Sequence, residues 1–245
     1  MTRVVYWKTI QIQILIQIQL IHTQLRVQNQ RTALPPAVAA AAMADEKPSR
    51  QPVTGSCHCR AVQYVAFLTL PPVHNESSPP ARTDQRIYRC NCTICQKTGF
   101  LHVRVADRTD DFLLLAPLDP LRDLGDYRFD GKMLHWLFCK TCGVRCFTFM
   151  GAGEVVEADL AALGVPGYAG KGKTTRVWRA AREGGHPEYG TYISINGHTV
   201  DHSCRAFDAR ALHEQGSVQY LDYLCPGGQE RGPDRYGRPH EGGAY

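Results

Sequence analysis

No apolar run in this chain approaches the ~20 residues that a membrane-crossing helix needs. The nearest candidate, QIQILIQIQLIH, is broken repeatedly by Gln. Acidic side chains are absent from residues 1–42, which hold Arg3, Lys8, Arg26 and Arg31. That segment supplies most of the formal charge of +5, since 24 basic and 23 acidic side chains remain without it. A body this close to neutral, with no basic stripe interleaved with aromatics, excludes nucleic acid as an expected partner. Long helical periods are scarce too, and their absence points to a mainly β protein.

The first 42 residues read as a non-globular leader. Alternation of Gln and Ile has a strand-like period, and an apolar stretch that is interrupted and runs on into polar sequence makes a poor secretory signal. The favoured expectation is a misassigned start, with Met43 and the following ADEKPSR opening a cytoplasmic protein. The alternative is a mitochondrial presequence, for which the segment is basic but poor in Arg and Ser. At the other end, residues 226–245 are rich in Gly, Pro and charge and are expected to form a disordered tail.

Between residues 54 and 225 short apolar runs read as strands: AVQYVAF, RIYRC, LHVRV, DFLLL, MLHWLFC, VRCFTF and TYISI. Asp130-Gly131 between LGDYRF and MLHWLF predicts a hairpin. DARALHEQ, residues 208–215, predicts a short helix with Asp208 as N-cap. Residues 71–84 and 160–189 read as insertions, the second a Gly-rich basic surface loop. Within it, residues 167–174 (GYAGKGKT) satisfy the phosphate-loop pattern letter for letter. That pattern needs a strand before it and a helix after it. Pro166 precedes it and a short helix at best follows, so no ATP site is expected.

What the chain does have is cysteine. Ten lie at positions 57, 59, 90, 92, 95, 139, 142, 146, 204 and 225, and seven of these fall in tight clusters. Cysteines one or two residues apart are poor disulfide partners for each other and good chelators of one metal ion. Cys57 and Cys59 with Cys139 and Cys142 can complete a four-thiolate shell, which is closed and structural. Cys90, Cys92 and Cys95 in CNCTICQKTG then stand as a three-sulfur site. Three protein ligands plus water or substrate is the pattern of a catalytic zinc. Spacing alone leaves that site open or closed, because Cys146, Cys204, Cys225, His58, His102 and His135 are all unassigned. Of these, Cys146 in VRCFTF reads as a small buried hydrophobe.

GSCHCRAV, CNCTICQK and FCKTCG, in this order, resemble the glutathione-dependent formaldehyde-activating enzyme family, which includes centromere protein V. The resemblance spans roughly residues 54–225, and TYISINGHTVD looks like the strand closing the family's domain. It implies antiparallel sheets pinned by zinc, a β-tent. It also implies two zinc ions per chain: a structural one on Cys57, Cys59, Cys139 and Cys142, and one with an open position on Cys90, Cys92 and Cys95. Arg60 stands where the family often has Gly, and Gln96 where an Arg is common.

The implied activity is that of a carbon–sulfur lyase, joining glutathione to formaldehyde as S-hydroxymethylglutathione. A zinc on three thiolates carries net negative charge and is a weak Lewis acid, so activation of the thiol is preferred to polarisation of the carbonyl. Lys97 is a candidate anchor for a glutathione carboxylate, against the simpler reading of a solvated lysine. No catalytic side chain is assigned. The alternative function is a zinc-stapled protein-interaction module.

Overall fold

The computed structural model describes residues 47–73, 81, 83–129, 131, 133–170, 174–224 and 235–245. The strands are β1 (Ser49–Ser56), β2 (Gln63–Leu70), β3 (Arg86–Cys90), β4 (His102–Arg104), β5 (Phe112–Ala116), β6 (Gly125–Tyr127), β7 (His135–Phe138), β8 (Arg145–Met150), β9 (Gly153–Ala158), β10 (Thr175–Ala180), β11 (Tyr192–Asn196), β12 (Gln219–Leu221) and β13 (Arg235–Tyr236). Among the described residues three short α-helices accompany them, α1 (Thr93–Thr98), α2 (Pro120–Asp123) and α3 (Ala209–Glu214), with a 3-10 turn at Gly197–Thr199. The mainly β expectation holds.

Two sheets form, one in the order β1-β2-β5-β10-β9 and one in the order β13-β12-β3-β4-β11-β8-β7-β6. Neighbours are antiparallel except β12, which runs parallel to β3 and sets Leu221 opposite Cys90. Side-chain alternation builds the core. Tyr64, Ala66 and Leu68 of β2 and Phe112 and Leu114 of β5 meet Phe147, Phe149, Ile193 and Ile195 of the larger sheet. The intervening Val65, Phe67 and Leu113 point the other way and pack under Leu160 and Val165.

The segment 160–189 is not the surface loop expected from its composition. Its middle is β10, seated between β5 and β9, with Val177, Trp178 and Ala180 buried. One of the basic residues that disguised it is paired: Arg179 meets Asp110 and Glu154, both at 3.0 Å. A strand after Thr174, where a phosphate loop needs a helix, leaves residues 167–174 without the required context. Residues 171–173 of that pattern, the leader 1–42, Cys225 and most of the 71–84 insertion lie outside the described residues.

Residues 235–245 of the expected tail are described. Arg235–Tyr236 pairs with Gln219–Tyr220 as an edge strand, and His240 Nε2 lies 3.0 Å from the Tyr220 carbonyl. The predicted hairpin is β6–β7, with Tyr127 opposite Trp136, but its connection is longer than a two-residue turn. Asp208 caps α3 by accepting from the N–H groups of Arg210 and Ala211.

Candidate metal centre

Two similar turns bring the first four cysteines together. After β1, the Cys57 N–H donates to Val62 O at 3.0 Å and the Arg60 N–H to Cys57 O at 2.9 Å. After β7, the Cys139 N–H donates to Val144 O and the Gly143 N–H to Cys139 O, both at 2.9 Å. Each turn needs a left-handed residue directly after its second cysteine. Gly143 supplies φ 75°, and Arg60 adopts φ 63°, the one positive φ at a non-glycine among the described residues. A left-handed backbone is the conformation glycine adopts without strain, so Gly143 fits its turn and Arg60 does so at a cost.

The sulfurs of Cys57, Cys59, Cys139 and Cys142 lie within 4.8 Å of one another. Cys59 Sγ is 3.6 Å from Cys57 Sγ and 3.5 Å from Cys139 Sγ. Tetrahedral zinc–thiolate bonds of about 2.3 Å put sulfurs about 3.8 Å apart, so the set fits such an ion. Without metal the thiols hold their protons unequally. Burial pushes the Cys57 thiol up to about 12. Burial acts the same way at Cys142, but N–H groups of Cys59 and Val144 and the Cys139 thiol hold it down at about 6. Arrangements of this kind release protons when a metal binds.

The second cluster hangs from the end of β3 and the start of α1. Cys90 closes the strand, Cys92 is the N-cap with extended backbone, and Cys95 lies one turn in. Gly99, at φ 60°, ends the helix and takes its N–H back to the carbonyls of Cys95 and Gln96. All three sulfurs lie within 4.8 Å of one another. The Cys90 and Cys95 thiols beside Cys92, with the N–H groups of Cys95 and Ile94, hold its thiol down at about 2. Contact with Cys92, chiefly, drives Cys90 up to about 12.

Around these sulfurs pack Phe100, Trp136 and Leu221, on the face of the larger sheet away from the main core. Trp136 Nε1 is buried with no hydrogen-bond partner among the described residues. Asn91, between two of the cysteines, donates to Asp222 Oδ1 at 2.7 Å and to Glu241 O at 3.1 Å, and accepts from the Tyr223 N–H at 2.6 Å. Asp222 and Glu241 also line an open groove of about 760 Å³ with Arg235, Arg238 and His240.

The unassigned candidates separate clearly. His58 and Lys97 are exposed, Lys97 on the last turn of α1. His135 pairs with Asp126 at 2.9 Å, and Cys204 accepts from the Thr54 N–H at 3.2 Å. Cys146 is a buried core residue. Among the described candidates only His102 comes to the second cluster: its Nε2 lies 3.2 Å from Cys95 Sγ, though it falls outside the group of mutually close sulfurs. Burial pulls its pKa down to about 3, so the ring is neutral. Trp136, Asn91 and Ser194, which touches His102 Nδ1, carried no signal in the sequence beyond their place beside or on predicted strands.

Each cluster could hold a metal ion. No protein-family profile matches the chain. A crystal structure of a Rhodobacter sphaeroides protein is similar at 17% identity and a TM-score of 0.33, covering 65% of this chain and 94% of the other. A likeness that weak carries no argument.

Proposed function

We propose that the protein is a zinc-dependent enzyme that forms or cleaves the carbon–sulfur bond of a thiol–aldehyde adduct. Glutathione is the thiol, formaldehyde the aldehyde, and S-hydroxymethylglutathione the adduct, as in the formaldehyde-activating family that the cysteine motifs resemble. The observation that carries this reading is the inequality of the two clusters: one gathers four sulfurs, the other three. Four thiolates make a closed structural zinc site, whereas three ligands leave a position for water or substrate.

Zinc on Cys90, Cys92 and Cys95 would lower the pKa of a substrate thiol and hold its sulfur ready for the aldehyde. The chain's own residues shape the rest. Phe100, Trp136 and Leu221 keep water from one side of the sulfurs. An indole N–H buried without an acceptor costs about 1–3 kcal/mol; an adduct oxygen that accepts from Trp136 offsets this. Asn91 links the cysteine loop to the charged groove. Arg235, Arg238 and His240 beside Asp222 and Glu241 match the carboxylates and ammonium of glutathione.

The test is exchange NMR of formaldehyde with glutathione, combined with zinc counting, on the wild type, Cys92→Ser and Cys225→Ser. Cys225 is included because it follows Leu221, the neighbour of Cys90, by four positions. The expected result is acceleration by the wild type that is lost in Cys92→Ser, together with loss of one of two zinc ions while the fold persists. Failure of the wild type to accelerate exchange removes the reading. X-ray absorption showing four sulfurs at the second zinc, and three in Cys225→Ser, instead makes the protein a zinc-stapled interaction module.

A further inference from the structure

The three-cysteine cluster has a polar neighbour that the chemistry above leaves unused. His102 lies on β4, 4% exposed, with Nε2 3.2 Å from Cys95 Sγ and Nδ1 3.0 Å from Ser194 Oγ. The Tyr88 ring stacks flat on the imidazole, with centroids 4.5 Å apart and planes 2° apart. Phe100 packs at 4.4 Å, and the edge of Trp136 closes in at 5.7 Å. Ser194 is itself fully buried on β11, opposite β4. Three rings fix the plane of the imidazole, and its two nitrogens have one partner each.

A cysteine bound to metal is a thiolate, with no hydrogen to give. A contact of 3.2 Å between that sulfur and Nε2 is favourable only if Nε2 carries the hydrogen. Nδ1 is then the acceptor, and the Ser194 hydroxyl is its donor. The Tyr192 hydroxyl lies 2.6 Å from that of the stacked Tyr88. The result is a buried relay from the Ser194 hydroxyl through the imidazole to the sulfur, in which each bond polarises the next.

We propose that His102 is the positioning residue of the three-cysteine metal site: it donates Nε2–H to the Cys95 thiolate, in the tautomer selected by Ser194. The donor holds the Cys95 sulfur in place and withdraws electron density from it. Of the three thiolates, Cys95 is thereby kept a ligand and protected from direct reaction with an aldehyde. The inference rests on reading Cys90, Cys92 and Cys95 as a metal site. Partners of this outer kind typically change metal affinity 10–100-fold.

The experiment uses the full chain, zinc-loaded and 15N-labelled at histidine, with long-range proton–nitrogen correlation of the ring. A protonated Nε2 and a bare Nδ1 at His102 are expected. A protonated Nδ1, with Nε2 shifted by zinc, overturns the proposal and makes His102 a fourth ligand. In chelator competition, His102→Phe should bind the second zinc about 10–100-fold more weakly. His102→Gln, which keeps an N–H donor, should stay near wild type, and Ser194→Ala should show a mixed tautomer. Equal affinity in wild type and His102→Phe refutes the proposal. If His102→Phe fails to fold, the wild-type tautomer decides alone. A single zinc, lost in Cys139→Ser but unaffected by Cys92→Ser, removes the metal-site reading itself and the inference with it.

Discussion

Replacing Arg60 with glycine should stabilise the protein, although it deletes a long charged side chain. Arg60 holds φ 63° directly after Cys59. A side chain in the left-handed region costs about 1–2 kcal/mol through the clash of Cβ with the following carbonyl. Glycine removes that clash but gives the unfolded chain more freedom, worth about 0.4–1 kcal/mol against folding. The bonds that shape this turn, from the Arg60 N–H to Cys57 O and from Gln63 Nε2 to Arg60 O, use the backbone of Arg60 and survive the substitution. The net gain is about 0.5–1 kcal/mol, or a Tm rise of about 1–4 °C for a domain of this size. Arg60→Ala is the control, because it loses the charge and keeps Cβ. It should stay within a few tenths of a kcal/mol of wild type. Calorimetry of the metal-loaded protein measures both. An equal rise in Arg60→Ala assigns the effect to charge, and a fall in Arg60→Gly refutes the strain argument outright.

Two further perturbations probe the core and the pH response. A methyl group on Gly153 would overlap the indole of Trp178, which is 5% exposed and wedged edge-on against Phe149 at 5.0 Å. Gly153→Ala should therefore cost about 1–3 kcal/mol in urea unfolding, and a neutral effect would show that the ring can move away. His213 bonds the Tyr220 hydroxyl at 2.8 Å, and burial, reinforced by Arg89 and His198, holds its pKa below 6.5. The unfolded chain takes up this proton first, so the contribution to stability is full above pH ~6.5 and is lost as pH falls. Between pH 7.5 and 5.5 the urea midpoint should fall less in His213→Gln than in wild type; parallel slopes would exclude the assignment.

The strands rich in β-branched and aromatic residues were legible because nothing disguised them. RIYRC is β3, and TYISI covers all of β11 but its last residue, Asn196. The cysteine groups were legible because ligands one or two residues apart are local facts of sequence. β10 was hidden by its surroundings: glycines before it and arginines within it, of which Arg179 meets Asp110 and Glu154, distant in sequence. The contact of His102 with Ser194 spans 92 positions and exists only through the register of β4 on β11. Trp136 read as an ordinary strand aromatic until the sheet placed it beside the cysteines. Local chemistry was thus readable at the sulfurs, while everything that surrounds them depends on long-range pairing.

Cys59 and Cys139 meet across 80 positions, and the whole second cluster lies inside the loop they close. Cross-linking a loop of that length removes roughly 4–5 kcal/mol of freedom from the unfolded chain. An ion in the four-sulfur site therefore draws residues 90–95 toward their neighbours before they hold anything themselves. On the proposed reading the two sites would load in sequence, the staple first, and activity would follow only the second ion. The architecture that ties the fold to metal would then make the working site the last to receive one.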